Sequence, residues 1–330
     1  MLFRSDALLW GEGLDDLTIT GAGRILGTGL SRGGGGRGGA TTGTGNKSIA
    51  LKNCRNVTLR DFSILQGGWF ALLATGVDNL TIDGLRIDTN RDGLDIDSCR
   101  NVRIANCTVN APNDDAIVLK SSFALGTPRA CENITITNCL VSGFDVGSVL
   151  DGTFKRTVER APDRDGPTGR IKLGTESNGG FKNITISNCV FDRSRGLALE
   201  TVDGGIIEDV TISNITMRDV SNSVIFLRLG NRARGPEGTA VGMIRRVSIS
   251  QVVASGVDAR YPIIIAGLPD NPIKDVRLSD IRVVSRGGLT LEQAATQPSD
   301  LVNTFFLRGP GLAGPREPFA PPRSEEHTSE

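Results

Sequence analysis

The sequence predicts a parallel β-helix, a solenoid in which short strands of successive coils stack on one another. Two observations in its 330 residues lead to this fold: one short motif recurs eight times, and every copy alternates polar and apolar residues. A period of two is typical of strands and not of helices. Because so short a strand cannot bury its apolar face alone, the copies must stack into one continuous core.

The recurring motif begins with a polar residue, an aliphatic residue, any residue and a second aliphatic residue. Two residues after the second aliphatic residue comes Asn or Asp, replaced once by Gly and once by Gln, and an apolar residue follows it. The copies begin at Asn56, Asn79, Asn101, Asn133, Asn183, Asp209, Arg246 and Asp275. Their starts lie 23, 22, 32, 50, 26, 37 and 29 residues apart, so a coil of about 22 residues carries insertions of variable length. The longest insertions are predicted at 141–169 and 230–242, and such loops often wall a binding site.

A second strand in each coil is predicted from five further alternating stretches. They are Gly93–Asp97, Ala116–Lys120, Arg170–Gly174, Gly196–Glu200 and Val224–Arg228. Their apolar residues align as stacks that face the core. The intervening side chains therefore point outward, where a solenoid has room for chemistry.

The six cysteines fall at two fixed offsets from the motif starts. Two residues before a motif start lie Cys54, Cys99 and Cys131. Six residues after a motif start lie Cys107, Cys139 and Cys189. These offsets predict stacked core thiols. A disulfide framework or zinc site is not expected, because the chain has no CxxC pair and one histidine. By the same reasoning, a turn ladder is predicted for Asn106, Asn138, Asn188 and Asn214.

Composition limits the partners and the domain count. The 37 Lys and Arg residues balance 37 Asp and Glu residues, which argues against nucleic acid or an anionic membrane as the partner. No apolar run approaches the roughly 18 residues of a membrane span, and the start shows no signal peptide. We expect a monomer with one β-helix domain over 1–310, shortened at its N-terminus, and a disordered tail over 311–330. Residues 323–330 resemble a translated sequencing adapter.

Carboxylates stack at one turn of the predicted solenoid. Asp92 and Asp115 each lie two residues before the first stacked apolar residue of their strand, so they should sit about 4.8 Å apart. Asp114 adds a third acid, and Asp95 and Asp97 extend the group. Close like charges raise at least one pKa, and a neutral carboxylic acid beside an ionised one suits glycosidic cleavage. Alternatively, such acids cap a turn, bind calcium or are merely solvated.

Cations are predicted on the same outward face. Lys120, Arg170, Lys172 and Arg228 lie one to several coils from the acids and together suit the carboxylate of a uronic acid sugar. Taken singly, each is expected to be a surface charge paired with a neighbour such as Glu200.

These residues resemble glycoside hydrolase family 28, the polygalacturonases and their relatives, over roughly residues 5–285. Asn90-Arg91-Asp92-Gly93-Leu94-Asp95 is similar to the family's Asn-Thr-Asp motif, and Asn113-Asp114-Asp115-Ala116-Ile117-Val118-Leu119-Lys120-Ser121 to its Asp-Asp motif. The resemblance implies a right-handed β-helix and inverting hydrolysis without a metal or other cofactor. It assigns proton donation to Asp114 and activation of the attacking water to Asp92 and Asp115.

The resemblance also implies a polysaccharide substrate and secretion or a periplasmic location. The candidate substrate-binding residues are Asn90, Lys120, Arg170, Lys172, Glu200, Arg228 and Tyr261. Two family motifs are altered. The Gly-His-Gly motif falls at Thr168-Gly169-Arg170 without its histidine, and the Arg-Ile-Lys motif falls at Phe226-Leu227-Arg228 with only the last cation. The sugar specificity is therefore open between polygalacturonan and another uronate- or rhamnose-containing glycan.

The sequence thus favours an inverting glycoside hydrolase acting on a pectin-type polysaccharide. Two other functions remain open at this point. One is a catalytically inactive β-helix that binds polysaccharide or mediates adhesion. The other is a pectate-lyase-like enzyme, which would abstract a proton with a Lys or Arg base and usually needs calcium.

Overall fold

The chain coils into a parallel β-helix, as the repeats predict. The structure is a computed structural model that describes residues 7–31, 45–157 and 166–295. Within these ranges the strands form two parallel sheets, and the one helix is α1, Leu291–Ala295. No helix in the described ranges is both long and apolar enough to cross a lipid bilayer.

The sheet that carries the outward-facing charges is called here the front sheet. Numbered in chain order, its nine described strands are β1 Ala7–Glu12, β4 Lys47–Lys52, β7 Phe70–Thr75, β10 Asp92–Asp97, β13 Ile117–Ser121, β16 Ile171–Ser177, β18 Leu197–Thr201, β20 Ile225–Leu229 and β22 Ile264–Ala266. Each strand pairs with the same strand of the next coil. The outward residues of neighbouring coils therefore lie side by side.

The other sheet, called the back sheet, closes the coil. Its described strands are β2 Thr18–Thr20, β3 Arg24–Leu26, β5 Arg55–Arg60, β6 Ser63–Leu65, β8 Asp78–Asp83, β9 Arg86–Asp88, β11 Arg100–Ala105, β12 Thr108–Asn110, β14 Cys131–Thr137, β15 Leu140–Ser142, β17 Phe181–Asp192, β19 Ile206–Arg218, β21 Met243–Val257 and β23 Lys274–Ser285. Early coils have two back strands, such as β8 and β9. From β17 onward the two merge, since β17 pairs with both β14 and β15.

The predicted alignment of the front strands is confirmed. Leu94 pairs with Ile117, and Ile117 pairs with Ile171. Their side chains belong to one apolar cluster that extends from Ile49 to Leu268. This continuous core fixes the register, because a shift of one residue would turn every apolar side chain outward.

The cysteine and asparagine stacks are also confirmed. All six cysteines are buried and free. Contact with the Cys107 thiol, together with burial, raises the pKa of Cys139 to about 12. In the turns, the Asn138 amide donates to Asn106 at 3.4 Å, and both residues have a positive φ. A second ladder, not predicted, joins the motif starts; its hydrogen bonds link Asn56, Asn79, Asn101, Asn133 and Asn183.

The two ends of the solenoid differ from its middle. In the first coil, Leu8 and Trp10 are 50% and 44% exposed. Of the strands in the described ranges, the last is β23, which ends at Ser285. The predicted domain boundary at residue 310 and the predicted tail lie outside the described residues, as does the greater part of the glycine-rich stretch at 27–45.

Candidate active site

Three carboxylates meet where strands of the front sheet begin. Asp92 opens β10, while Asp114 and Asp115 lie in the turn that leads into β13. One carboxylate oxygen from each residue lies within 4.8 Å of the other two, and all three side chains are buried. The stacked register of the two coils produces this contact between residues 22 and 23 positions apart.

Asp92 lies in surroundings that favour its neutral form. Its Oδ2 is 3.4 Å from the Lys120 amino group, which makes a shorter contact of 2.6 Å with Asp95. Its Oδ1 is buried and has no hydrogen-bond partner among the described residues. Burial, followed by the negative charge of Asp114, raises the pKa of Asp92 well above its ordinary value, although Lys120 acts against this. These surroundings make Asp92 a candidate proton donor.

Asp115 lies in the opposite electrostatic situation. Its Oδ1 accepts a 2.8 Å hydrogen bond from Arg170 Nε, and its Oδ2 lies 3.3 Å from the Lys172 amino group. Burial alone would raise the pKa of Asp115, but Lys172 and Arg170 together outweigh burial and lower it. Asp115 is therefore ionised near neutral pH.

Asp114 is held by a residue that the sequence analysis did not single out. Arg91 Nη2 lies 2.6 Å from Asp114 Oδ2, and the Arg91 guanidinium stacks on Trp69 with 4.1 Å between its central carbon and the ring centroid. The backbone N–H of Asp115 donates to Asp114 Oδ1 at 3.1 Å. The sequence did offer a signal for this role, because Arg91 stands directly before Asp92 in the segment that resembles the Asn-Thr-Asp motif.

The predicted cations continue this network away from Asp115. Arg170 Nη2 lies 3.4 Å from Glu200 Oε1, and the Lys172 amino group lies 3.9 Å from Glu200 Oε2. Arg228 is directly opposite Glu200 on the neighbouring strand. The expected pairing with Glu200 is present, but the expectation of surface charges is wrong, since all four side chains are buried. They can be buried because each cation lies among carboxylates of adjacent coils.

The insertion at 230–242 adds a further charged group to this network. Arg232 is fully buried, forms a two-bond ion pair with Asp203 and lies 3.8 Å from Glu176 Oε1. Glu176 in turn lies 4.0 Å from Lys120. Sequence spacing offered no signal for this contact, because Arg232 follows β20 in a segment without repeat character.

The first part of the other predicted insertion docks beside the same turn. The Asp88 carboxylate accepts hydrogen bonds from the backbone N–H groups of Gly147, Val149 and Leu150 at 2.8, 2.9 and 3.1 Å. Asn110 contributes a fourth donor to Asp88 at 2.9 Å. Residues 158–165 of this insertion lie outside the described residues. The described part stands next to the segment that carries Asn90 and Asp92.

Two predicted substrate-binding residues have different positions relative to the acids. Asn90 accepts a hydrogen bond from the Asn113 amide, which joins the two motifs. Tyr261 occupies the same column of the front sheet as Asp115, but four strands further along, or roughly 19 Å away. Its ring lies 5.2 Å from the Arg260 guanidinium. The structure therefore brings Asn90 to the carboxylates and leaves Tyr261 apart from them.

The three carboxylates do not suit a calcium ion. Calcium takes six to eight oxygen ligands, most of them carboxylates and carbonyls. Here four cationic side chains already contact the three acids: Arg91, Lys120, Arg170 and Lys172. A divalent cation at this position would be repelled by them.

Comparisons with known proteins agree with the fold. The family described as right handed beta helix region matches residues 18–160. A probable polygalacturonase of Arabidopsis thaliana is 24% identical over 253 residues, which cover 73% of this chain and 50% of that protein. The chain spans about half the length of the curated relatives it matches.

Two solved structures share the architecture. The hyperthermoactive exopolygalacturonase of Thermotoga maritima superimposes with a TM-score of 0.57 at 22% identity, covering 72% of this chain and 51% of that one. The polygalacturonase of Erwinia carotovora superimposes with a TM-score of 0.60 at 17% identity, covering 86% and 73%. These likenesses confirm the predicted right-handed parallel β-helix.

Proposed function

We propose that this protein is a pectin-degrading glycoside hydrolase that uses carboxylate general acid/base catalysis. The observation that carries the proposal is the meeting of Asp92, Asp114 and Asp115, whose carboxylate oxygens lie within 4.8 Å of one another, with the pKa of Asp92 raised and that of Asp115 lowered. Hydrolysis of a glycosidic bond needs one group that gives a proton and another that takes one. The relatives named polygalacturonases support a pectin-type polysaccharide as the substrate.

The resemblance assigns the proton donor to Asp114 and the water-activating groups to Asp92 and Asp115. The contacts support part of this division, because Arg170 and Lys172 keep Asp115 ionised, which is the form that a base needs. The raised pKa of Asp92 makes Asp92 a second candidate for the proton donor, beside Asp114.

The stereochemical outcome is part of the proposal. Inverting enzymes usually separate their acid and base by about 6.5–9.5 Å to admit a water, whereas retaining pairs stand about 5–5.5 Å apart. The nearest oxygens here lie within 4.8 Å. We propose inversion nevertheless, because Asp92 Oδ1 is a buried acceptor with no hydrogen-bond partner among the described side chains and backbone, and it can hold the water against Asp115. Proton NMR of the first-formed anomer tests this, and a retained anomer would contradict it.

The main experiment compares Asp92→Asn, Asp114→Asn and Asp115→Asn with the unmodified protein. Reducing-end release from polygalacturonate and rhamnogalacturonan is measured with EDTA present. General acid/base groups contribute about 10²–10⁴-fold, and we expect losses of that size. Hydrolysis of an aryl glycoside, whose phenolate leaves without protonation, identifies the acid: the variant lacking it regains activity on this substrate, and the variant lacking the base does not.

Two outcomes would refute the hydrolase. A calcium-dependent release of unsaturated, ultraviolet-absorbing products would identify a lyase. Binding of either polymer by folded protein without any cleavage would identify a non-catalytic module. The monomeric state and the secreted or periplasmic location stay predictions, which size-exclusion chromatography and fractionation of the source cells test.

A further inference from the structure

We propose that Arg91 and Trp69 form a positioning pair that sets the orientation of the Asp114 carboxylate within the group of three acids. The inference rests on the proposed hydrolase function and deepens it, because it assigns a task to two residues outside the acids. The Trp69 ring fixes the plane of the Arg91 guanidinium, and the guanidinium in turn fixes Asp114.

The first step is the placement of these three residues in one column of the solenoid. Asp92 pairs with Phe70, so Arg91 and Trp69, which directly precede them, are neighbours in adjacent coils. Asp114 stands at the same offset as Arg91 in the register of the next coil. The repeat therefore stacks an indole, a guanidinium and a carboxylate at intervals of one coil, or about 4.8 Å.

The second step is the way in which Arg91 is held between its two neighbours. Its guanidinium carbon lies 4.1 Å from the centroid of the Trp69 ring, and its Nη2 lies 2.6 Å from Asp114 Oδ2. The side chain of Arg91 is 13% exposed, so this contact is largely screened from water. A guanidinium is planar, and stacking on a ring restricts the directions in which its N–H groups point. Trp69 therefore determines how Arg91 presents its donor to Asp114.

The third step concerns the forces on the Asp114 carboxylate. An oxygen of Asp114 lies within 4.8 Å of oxygens of Asp92 and Asp115, and ionised carboxylates at such distances repel one another. Two donors hold Asp114 against this repulsion: the Asp115 backbone N–H contacts Oδ1 at 3.1 Å, and Arg91 contacts Oδ2. Loss of Arg91 leaves Oδ2 without this hold. A misplacement of about 1 Å in a catalytic group can cost roughly 10²-fold in rate, so this contact bears directly on catalysis.

The test measures kcat and KM on the polymer that the unmodified protein cleaves. Arg91→Met should lower kcat by about tenfold to a hundredfold and change KM by less than about threefold, because positioning acts on the chemical step and not on binding. Trp69→Leu should lower kcat in the same way, whereas Trp69→Phe keeps a ring face and should restore most of the activity. Arg129→Met is the control, since Arg129 is 18% exposed and pairs with Asp78 at the start of a back-sheet strand. It should leave kcat unchanged.

A double-mutant cycle separates positioning of Asp114 from a merely structural role. In the Asp114→Asn background, Arg91→Met should lower kcat by less than about threefold, because its target is already lost; two independent effects would multiply instead. Resistance of the six core thiols to Ellman's reagent shows that each variant is folded.

The outcomes separate this inference from the function beneath it. If the folded, unmodified protein cleaves neither polygalacturonate nor rhamnogalacturonan, the proposed function fails and the inference fails with it. If it cleaves either polymer and Arg91→Met keeps its kcat, the hydrolase stands and the inference is overturned. Multiplying losses in the double variant would also overturn it, since Arg91 would then act through another group. If Arg91→Met does not fold, equal activities of Trp69→Leu and Trp69→Phe overturn the inference.

Discussion

Replacing Asp88 by asparagine should release the insertion at 143–157 from the solenoid while the coils stay folded. Asp88 is fully buried, and its Oδ2 accepts two hydrogen bonds, from the backbone N–H groups of Val149 and Leu150. Asparagine keeps one acceptor for Gly147 and Asn110, but it places an amide NH₂ against the other two donors. Those two hydrogen bonds are lost.

The size of the effect follows from the number of bonds. A hydrogen bond to a charged acceptor contributes about 1.5–3 kcal/mol, so two of them contribute about 3–6 kcal/mol. At 1.4 kcal/mol for each factor of ten, the open form of the segment should rise about 10²- to 10⁴-fold. The segment contains Lys155 and Arg156, both of which trypsin recognises. When opening is fast relative to cleavage, the cleavage rate follows the open population.

The assay is limited trypsin digestion followed by mass spectrometry. The control is Asp151→Asn in the same insertion, because Asp151 is exposed and the hydrogen bonds that its side chain accepts from the described residues stay local, a 2.8 Å bond from the Thr153 backbone N–H and one from the Thr153 hydroxyl. A rise of less than tenfold at Lys155 and Arg156 in Asp88→Asn would refute the reasoning. So would an equal rise in the control.

Three other predictions concern the buried Asp92, the core thiols and the exposed asparagine ladder. Because the pKa of Asp92 is raised in the folded protein, its ionisation lowers the stability once the pH rises above the ordinary carboxyl pKa. Asp92→Asn should therefore increase the free energy of urea unfolding by about 0.5–2 kcal/mol at pH 8 and by nearly nothing at pH 3. A decrease at pH 8 would contradict this. All six thiols are buried, and the pKa of Cys139 is raised to about 12. The thiols should therefore not react with Ellman's reagent at pH 8 until urea exposes all six. Rapid labelling of the folded protein would argue against the core stack. Asn133 hydrogen-bonds to both neighbours in its ladder and has a φ of 57°. Asn133→Ala should lower the unfolding free energy by about 2–4 kcal/mol, and Asn133→Gly should lower it less, because glycine tolerates the left-handed backbone. Equal losses would show that only the hydrogen bonds matter.

The repeat alone was enough to predict the coil, the second strand and the meeting of Asp92 with Asp115. These features follow from register, because stacked strands place residues at equal offsets side by side. The short third strand, such as Arg86–Asp88, was missed because three residues are too few to show an alternating pattern. Its absence from the prediction did not disturb the alignment of the front sheet.

Contacts that depend on insertions were beyond the reach of the repeat. Asp88 meets Leu150 across 62 residues, and Asp203 meets Arg232 across 29. Leu150 and Arg232 both lie in insertions, where the repeat pattern stops. The burial of Arg170 and Lys172 was missed for a related reason. A single charged residue on an outward strand position looks solvated until the carboxylates of adjacent coils are placed around it.

The stacking of each coil on its two neighbours has a mechanical consequence. Pulling the two ends apart should peel the solenoid one turn at a time, since each turn is paired only with the turns on either side of it. A turn of 22 residues releases roughly 75 Å of extended chain. A force–extension trace should therefore show force peaks at about that spacing, with longer intervals where a turn carries an insertion. The turns that carry Asp92 and Asp115 lie well inside the stack, and the carboxylate group would survive the loss of its outermost turns.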